Sequence, residues 1–274
     1  MTKRVKFFLV SVFLGIALFV ASVVSVDQRL AAVVIVGVLA YILSAWVLFE
    51  DLKGWEWIAL MVRPTTFTIG AGLFANMLPS AIPRFLGLNF PIETSLFLGG
   101  VVKVAYMAIY VVGVYAILLT ENIFSVASIK SIQLFRAARS VSFIMTLIIS
   151  LFFFSMMLSL RIPFWSNMLL TSVITFILSF ASLWSVDLKS ENMPGVVRIT
   201  IVLTILMGFY GYAVSFWPIK SFMGGLVLTS CFYTLLGILE QRITEKLAPL
   251  NYLEFVVFNL IIVFTAFLTT SWVG

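Results

Sequence analysis

The sequence predicts an all-α, polytopic integral membrane helical bundle. Nine spans are expected, arranged as two parallel four-helix repeats plus a terminal helix, with the amino end inside and the carboxyl end outside. Three observations predict it. First, 62% of the 274 residues are apolar, only 10% are charged, and 27 are Phe, whereas a soluble domain carries about 25% charged residues. A soluble fold of this length cannot hide so much apolar surface. Second, the apolar residues fall into runs of span length separated by short polar turns. Third, the pattern of the first half returns in the second.

A hydrocarbon core about 30 Å thick takes roughly 20 apolar residues in a helix rising about 1.5 Å per residue. On that ruler the spans fall at 7–26, 31–49, 60–80, 95–119, 140–160, 164–184, 198–217, 221–239 and 252–272. The first follows Thr2-Lys3-Arg4-Val5-Lys6 and is longer than the roughly 7–15 apolar residues of a secretory signal. It therefore reads as a retained helix. The third is the weakest, because Arg63-Pro64, several threonines, Asn76 and glycines dilute it. Its place as a span is supported by its counterpart at 198–217, and Pro64 is tolerated if it stands close to the helix start. The longer connections, 81–94 and 120–139, are expected to be loops or short interfacial helices. The second, from Glu121 to Arg139, joins the copies and is expected to rest on the anionic cytoplasmic leaflet. Trp46, Trp55, Trp165, Trp184, Trp217 and Trp272 fall near span ends, as an interfacial aromatic belt requires.

The repeat is specific in its polar positions. Tyr41-Ile42-Leu43-Ser44, Asp51-Leu52-Lys53, Arg63 and Thr65 return as Phe176-Ile177-Leu178-Ser179, Asp187-Leu188-Lys189, Arg198 and Thr200. Pro91-Ile92 with Gly99-Gly100 returns as Pro218-Ile219 with Gly224-Gly225. The implied division is 1–134 for the first repeat with its linker, 135–248 for the second, and 249–274 for the terminal span, with no soluble domain. An even number of spans per copy sets both the same way up, the parallel class of repeat.

Basic residues set the orientation. With nine spans and the amino end inside, twelve Lys and Arg lie on the cytoplasmic side and four on the far side, with Lys103 left inside a span. Removing the third span makes the division eight against eight, so positive-inside bias selects nine. The net charge of +6 is thereby spent on topology, and nucleic acid is not an expected partner.

The repeat singles out one set of polar residues as a candidate lipid- or substrate-contacting site. Asp51, Lys53, Glu56 and Arg63 line one cytoplasmic turn, and Asp187, Lys189, Glu191 and Arg198 the equivalent one. Two symmetric polar turns would bind anionic headgroups through Arg63 and Arg198; the competing reading makes them topology determinants paired at the interface. Lys103 is the other candidate, since an intramembrane cation is costly and usually functional, unless it snorkels to the near headgroups. Glu240 and Glu254 read as interfacial. No acidic residue in a span centre is an obvious partner for Lys103, which argues against a buried ion pair there, and span interiors almost bare of ionisable groups argue against a proton relay. Asn76, Asn167 and Asn259 are expected to hydrogen-bond between helices. The two Gly-Gly pairs are expected to let their helices approach closely, at the pseudo-twofold axis.

The chain has no His and one cysteine, Cys231, so histidine-based catalysis and intramolecular disulfides are excluded. Cys231 reads as a small buried hydrophobe. No Gly-x-Ser-x-Gly elbow, Walker loop or His-Glu-x-x-His pair occurs, and neither an enzyme nor a cofactor or metal is expected. The function expected is passage of a lipidic or apolar substrate between two pseudo-symmetric lobes, in the plasma (inner) membrane. The alternative is a non-catalytic accessory or assembly subunit, with a membrane protein or a second copy of the chain as partner.

Overall fold

A computed structural model describes residues 2–49, 56–85, 88–127, 134–186, 193–243 and 249–270. Among the described residues nine α-helices follow one another: α1 Lys3–Val23, α2 Val26–Leu48, α3 Glu56–Phe74, α4 Ile92–Ala127, α5 Phe135–Ser159, α6 Phe164–Val186, α7 Met193–Val214, α8 Ser221–Ile243 and α9 Pro249–Thr269. Among the described residues eight helices are long and apolar enough to cross a membrane, and the chain is a multi-pass membrane protein with an all-α fold. At 19 residues α3 measures about 28 Å. Prolines punctuate the helices where the missing N–H is harmless: Pro91 before α4, Pro163 before α6, Pro218 before α8, and Pro194 in the first turn of α7.

Two expectations about boundaries change. The helix containing Arg63-Pro64 begins at Glu56, so Pro64 stands inside α3 and not near its start. The helix α4 runs 36 residues, about 54 Å. It continues through Glu121, where a loop or interfacial linker was expected. Between α3 and α4, a 3-10 turn Ala75–Met77 precedes an antiparallel pair, β1 Arg84–Phe85 and β2 Leu88–Asn89, with Arg84 opposite Asn89.

The chain divides into two compact units. One comprises residues 1–50 and 64–119, the other 51–63 and 120–274. In the first, α1 meets α4 where Gly15 faces Val111, and α2 meets α3 where Gly37 faces Ile69. Also in this unit, α3 and α4 are joined by Tyr106 Oη donating to Ala71 O at 2.7 Å and by a 2.9 Å bond between Thr68 and Tyr110. In the second unit, α5 meets α8 where Gly225 abuts Ser155, and α6 meets α7 where Gly211 faces Thr171. There α9 packs on α8, with Gly237 against Phe255. The neighbour order of α1–α4 within the first unit is thus that of α5–α8 within the second.

In lipid there is no hydrophobic gain from joining helices, so close packing and hydrogen bonds must do it. The core of the second unit shows both. Small polar residues, among them Ser142, Thr146, Ser150, Thr171, Thr175 and Ser179, are buried on α5 and α6. The Gly-Gly pairs are packing sites within their own units: Gly99 lies against the backbone of Ser80, while Gly224 and Gly225 lie against Leu158 and Ser155 of α5. All three asparagines bond between elements, Asn76 with Arg29, Asn167 with Ser215, and Asn259 with Ser230. Trp46 and Trp165 are exposed, as a belt requires, but Trp184 is buried.

Candidate functional site

The second unit buries the charged side chains of Arg63 and Glu121, with half-buried Arg139 and Glu240 nearby. Arg63 Nη1 donates to Glu121 Oε1 at 2.8 Å, and the two side chains are 1% and 0% exposed. The other terminal nitrogen, Nη2, donates to Ala181 O at 2.9 Å and to Ser185 Oγ at 3.0 Å. Its guanidinium also stands 5.5 Å from the Phe124 ring. Ser182 Oγ donates to Glu240 Oε1 at 2.6 Å, and Arg139 Nη2 donates to Val186 O at 3.2 Å. Glu240 is attracted by both Arg139 and Arg63. Two acidic and two basic side chains thus lie in this part of the unit. A neutral, hydrogen-bonded set is the form in which charge is tolerated away from water.

The helices explain why these residues converge. Ser182, Ser185 and Val186 form the carboxyl end of α6, which presents unpaired carbonyls and the negative end of the helix dipole. Two arginines cap it, Arg63 from α3 and Arg139 from the first turns of α5. Glu121 falls on the buried face of α4, in register with Tyr110, Val114, Ile117 and Phe124, the spacing of one helix face. Glu240 lies in the last turn of α8. Every member thus sits near a helix end, within about 10 Å of it by helix rise.

Beside the network opens a cleft of about 350 Å³, lined by Arg139, Ser140, Phe143, Ile144, Gly237, Glu240, Gln241 and Phe255. The lining combines charged and apolar side chains. Such a cleft can hold an amphipathic molecule, with both signs of charge available to its head.

The sequence-derived candidates are distributed unevenly. Asp51, Lys53, Asp187 and Lys189 lie outside the described residues. Arg63 is enclosed and engaged by protein groups, not presented to a headgroup. Arg198, which the sequence pattern pairs with it, is exposed, so the two arginines occupy different environments. Lys103 is half-buried, and its Nζ donates to Ser80 Oγ at 3.2 Å. Arg63 and Glu121 form a buried ion pair; ending the fourth span at residue 119 had left Glu121 in a linker. Glu240 is likewise bound within the unit by Ser182 rather than purely interfacial, whereas Glu254 is exposed. The signal for Glu121 was available, since Ile123, Phe124 and Val126 continue the apolar helical pattern beyond it.

Fold and network together define a polytopic membrane protein with an ionic cluster buried among its helices. The chain belongs to the family DUF5656, described as a protein of unknown function, whose model matches residues 96–270. That stretch contains Glu121, Arg139 and Glu240; Arg63 precedes it. No curated protein and no solved structure matches the chain.

Proposed function

We propose that the protein binds and passes an amphipathic, lipid-like substrate across the plasma (inner) membrane, with the cleft beside Arg139 and Glu240 receiving the polar head. The observation that carries this reading is the mixed lining of that cleft, in which Arg139, Glu240 and Gln241 stand together with Phe143, Ile144 and Phe255. A zwitterionic head suits it, with phosphate at Arg139 and an ammonium at Glu240. The volume lies within the range of about 300–1,000 Å³ usual for small-molecule sites. The repeated sequence motifs and the shared neighbour order of the two units support a duplicated carrier. On the expected topology the cleft faces the cytoplasm.

The test is reconstitution of the full chain into vesicles holding a headgroup-labelled phospholipid, with transfer between leaflets followed by quenching of the exposed label. Wild type is expected to transfer label, and Arg139→Ala/Glu240→Gln to slow transfer at least tenfold. Equal rates for the two would sink the assignment of the cleft. No transfer by wild type, together with stoichiometric co-purification of another membrane protein, would favour the accessory-subunit reading.

A further inference from the structure

We infer that the second unit carries another binding site, at the opposite end of α5, for a phosphate group with a neighbouring O–H or N–H donor. Arg139 lies in the first turns of α5 and Arg161 just past its last residue, so the two ends are about 30 Å apart along the helix. At the Arg161 end is a cavity of about 630 Å³, whose polar lining includes Arg161, Asn167, Ser215, Trp217, Lys220 and Ser221. This inference concerns binding alone and does not rest on the transport reading.

Two independent features define the ligand. The first is charge. Arg161 and Lys220 both line the cavity, and no acidic residue is among its described lining residues. Lys220 O accepts the Gly224 N–H at 2.9 Å, which puts Lys220 at the amino end of the 23-residue helix α8. The positive end of that helix's dipole adds to the two cations. The second is a buried acceptor without a donor. Asn167 is 4% exposed. Its Nδ2 donates to Ser215 Oγ at 3.0 Å and to Ile162 O at 3.4 Å. A main-chain carbonyl only accepts, so the amide nitrogen must face Ile162, leaving Oδ1 on the other side. That oxygen receives no hydrogen bond among the described residues. Buried polar atoms are ordinarily paired; a ligand bearing a donor beside its phosphate satisfies Asn167 and both cations at once.

The backbone is consistent with a retained cation. Among the described residues Arg161 is the non-glycine residue with positive φ, at 49°. Glycine would adopt that conformation more readily, and arginine supplies a charge at the cavity rim instead.

A lipid headgroup and free phosphate share this chemistry, and two arms separate them. In the first, the full chain in detergent is exchanged with equal phosphatidylglycerol, which carries hydroxyl donors, and phosphatidylcholine, which has none, and retained lipid is weighed by native mass spectrometry. In the second, ³¹P line broadening of inorganic phosphate is recorded with the same protein. Wild type is expected to retain phosphatidylglycerol preferentially. Arg161→Gly/Lys220→Gln should lower that retention at least tenfold, and Asn167→Ala should erase the preference. Broadening of phosphate by wild type but not by the double variant, without lipid preference, would assign the site to free phosphate. Equal binding of both probes by wild type and a folded Arg161→Gly/Lys220→Gln variant would overturn the site. Should the glycine variant fail to insert, Lys220→Gln alone carries the same comparison.

Discussion

Leucine at position 121 would leave the Arg63 guanidinium enclosed without its counter-ion. Breaking a buried pair by removing one partner costs about 3–5 kcal/mol, because the surviving charge stays desolvated. The two halves of this pair are not equally provided for. After Glu121→Leu, Arg63 keeps Ala181 O and Ser185 Oγ as acceptors, which places the cost near the lower end, about 3 kcal/mol. After Arg63→Met, Glu121 loses the donor to Oε1, and Oε2 already has none among the described residues. The cost then approaches the upper end, about 5 kcal/mol. The double variant Arg63→Met/Glu121→Leu removes both charges and fills the space with apolar atoms. It is expected within about 1 kcal/mol of wild type, since apolar replacement of a buried pair is often neutral or stabilising. Equilibrium unfolding in mixed micelles, run as a double-mutant cycle, would report a coupling of at least about 2 kcal/mol. Additivity within about 0.5 kcal/mol, or a Glu121→Leu variant as stable as wild type, would refute the claim that the pair is held away from water.

The same assay separates the two repeat-related arginines: Arg198→Ala, at an exposed position, should change stability by no more than about 0.5 kcal/mol, against several for Arg63→Met. Gly225→Ala sets a methyl against the Ser155 backbone and is expected to cost about 1–3 kcal/mol. Gly100→Ala meets no atom within 4 Å and should be neutral in the same unfolding measurement. Ser182→Ala removes the 2.6 Å bond to Glu240, a charge-assisted contact worth about 1.5–3 kcal/mol, and should lower the unfolding midpoint accordingly. Cys231 is 6% exposed, so a maleimide should label it slowly in the folded protein and quickly after denaturation.

The helices were legible in the sequence because a bilayer imposes a length and a composition that any reader of hydropathy can apply. Eight apolar runs became helices long and apolar enough to span among the described residues. The interhelical asparagines were legible for a related reason: an amide in lipid must find a partner on another helix. The ends of helices were less legible, because at the interface both polar and apolar residues are tolerated. Stopping the fourth span at residue 119 turned Glu121 into a linker residue, and the prospect of an ion pair disappeared with it.

What the sequence determined by itself is the solvent, the helical class, and the set of polar residues from which a site must be built. Hydropathy and charge are sums over local residues and do not depend on who neighbours whom. Tertiary structure alone decided that Arg63 meets Glu121 across 58 positions of chain and the end of α6 across 118 or more. It alone made Arg63 and Arg198, which stand in similar sequence patterns, a buried ion partner and an exposed side chain. Pairing depends on which helix ends converge, and that is set by packing of small residues such as Gly225 on Ser155 and Gly211 on Thr171, a matter of shape in three dimensions that no one-dimensional pattern encodes.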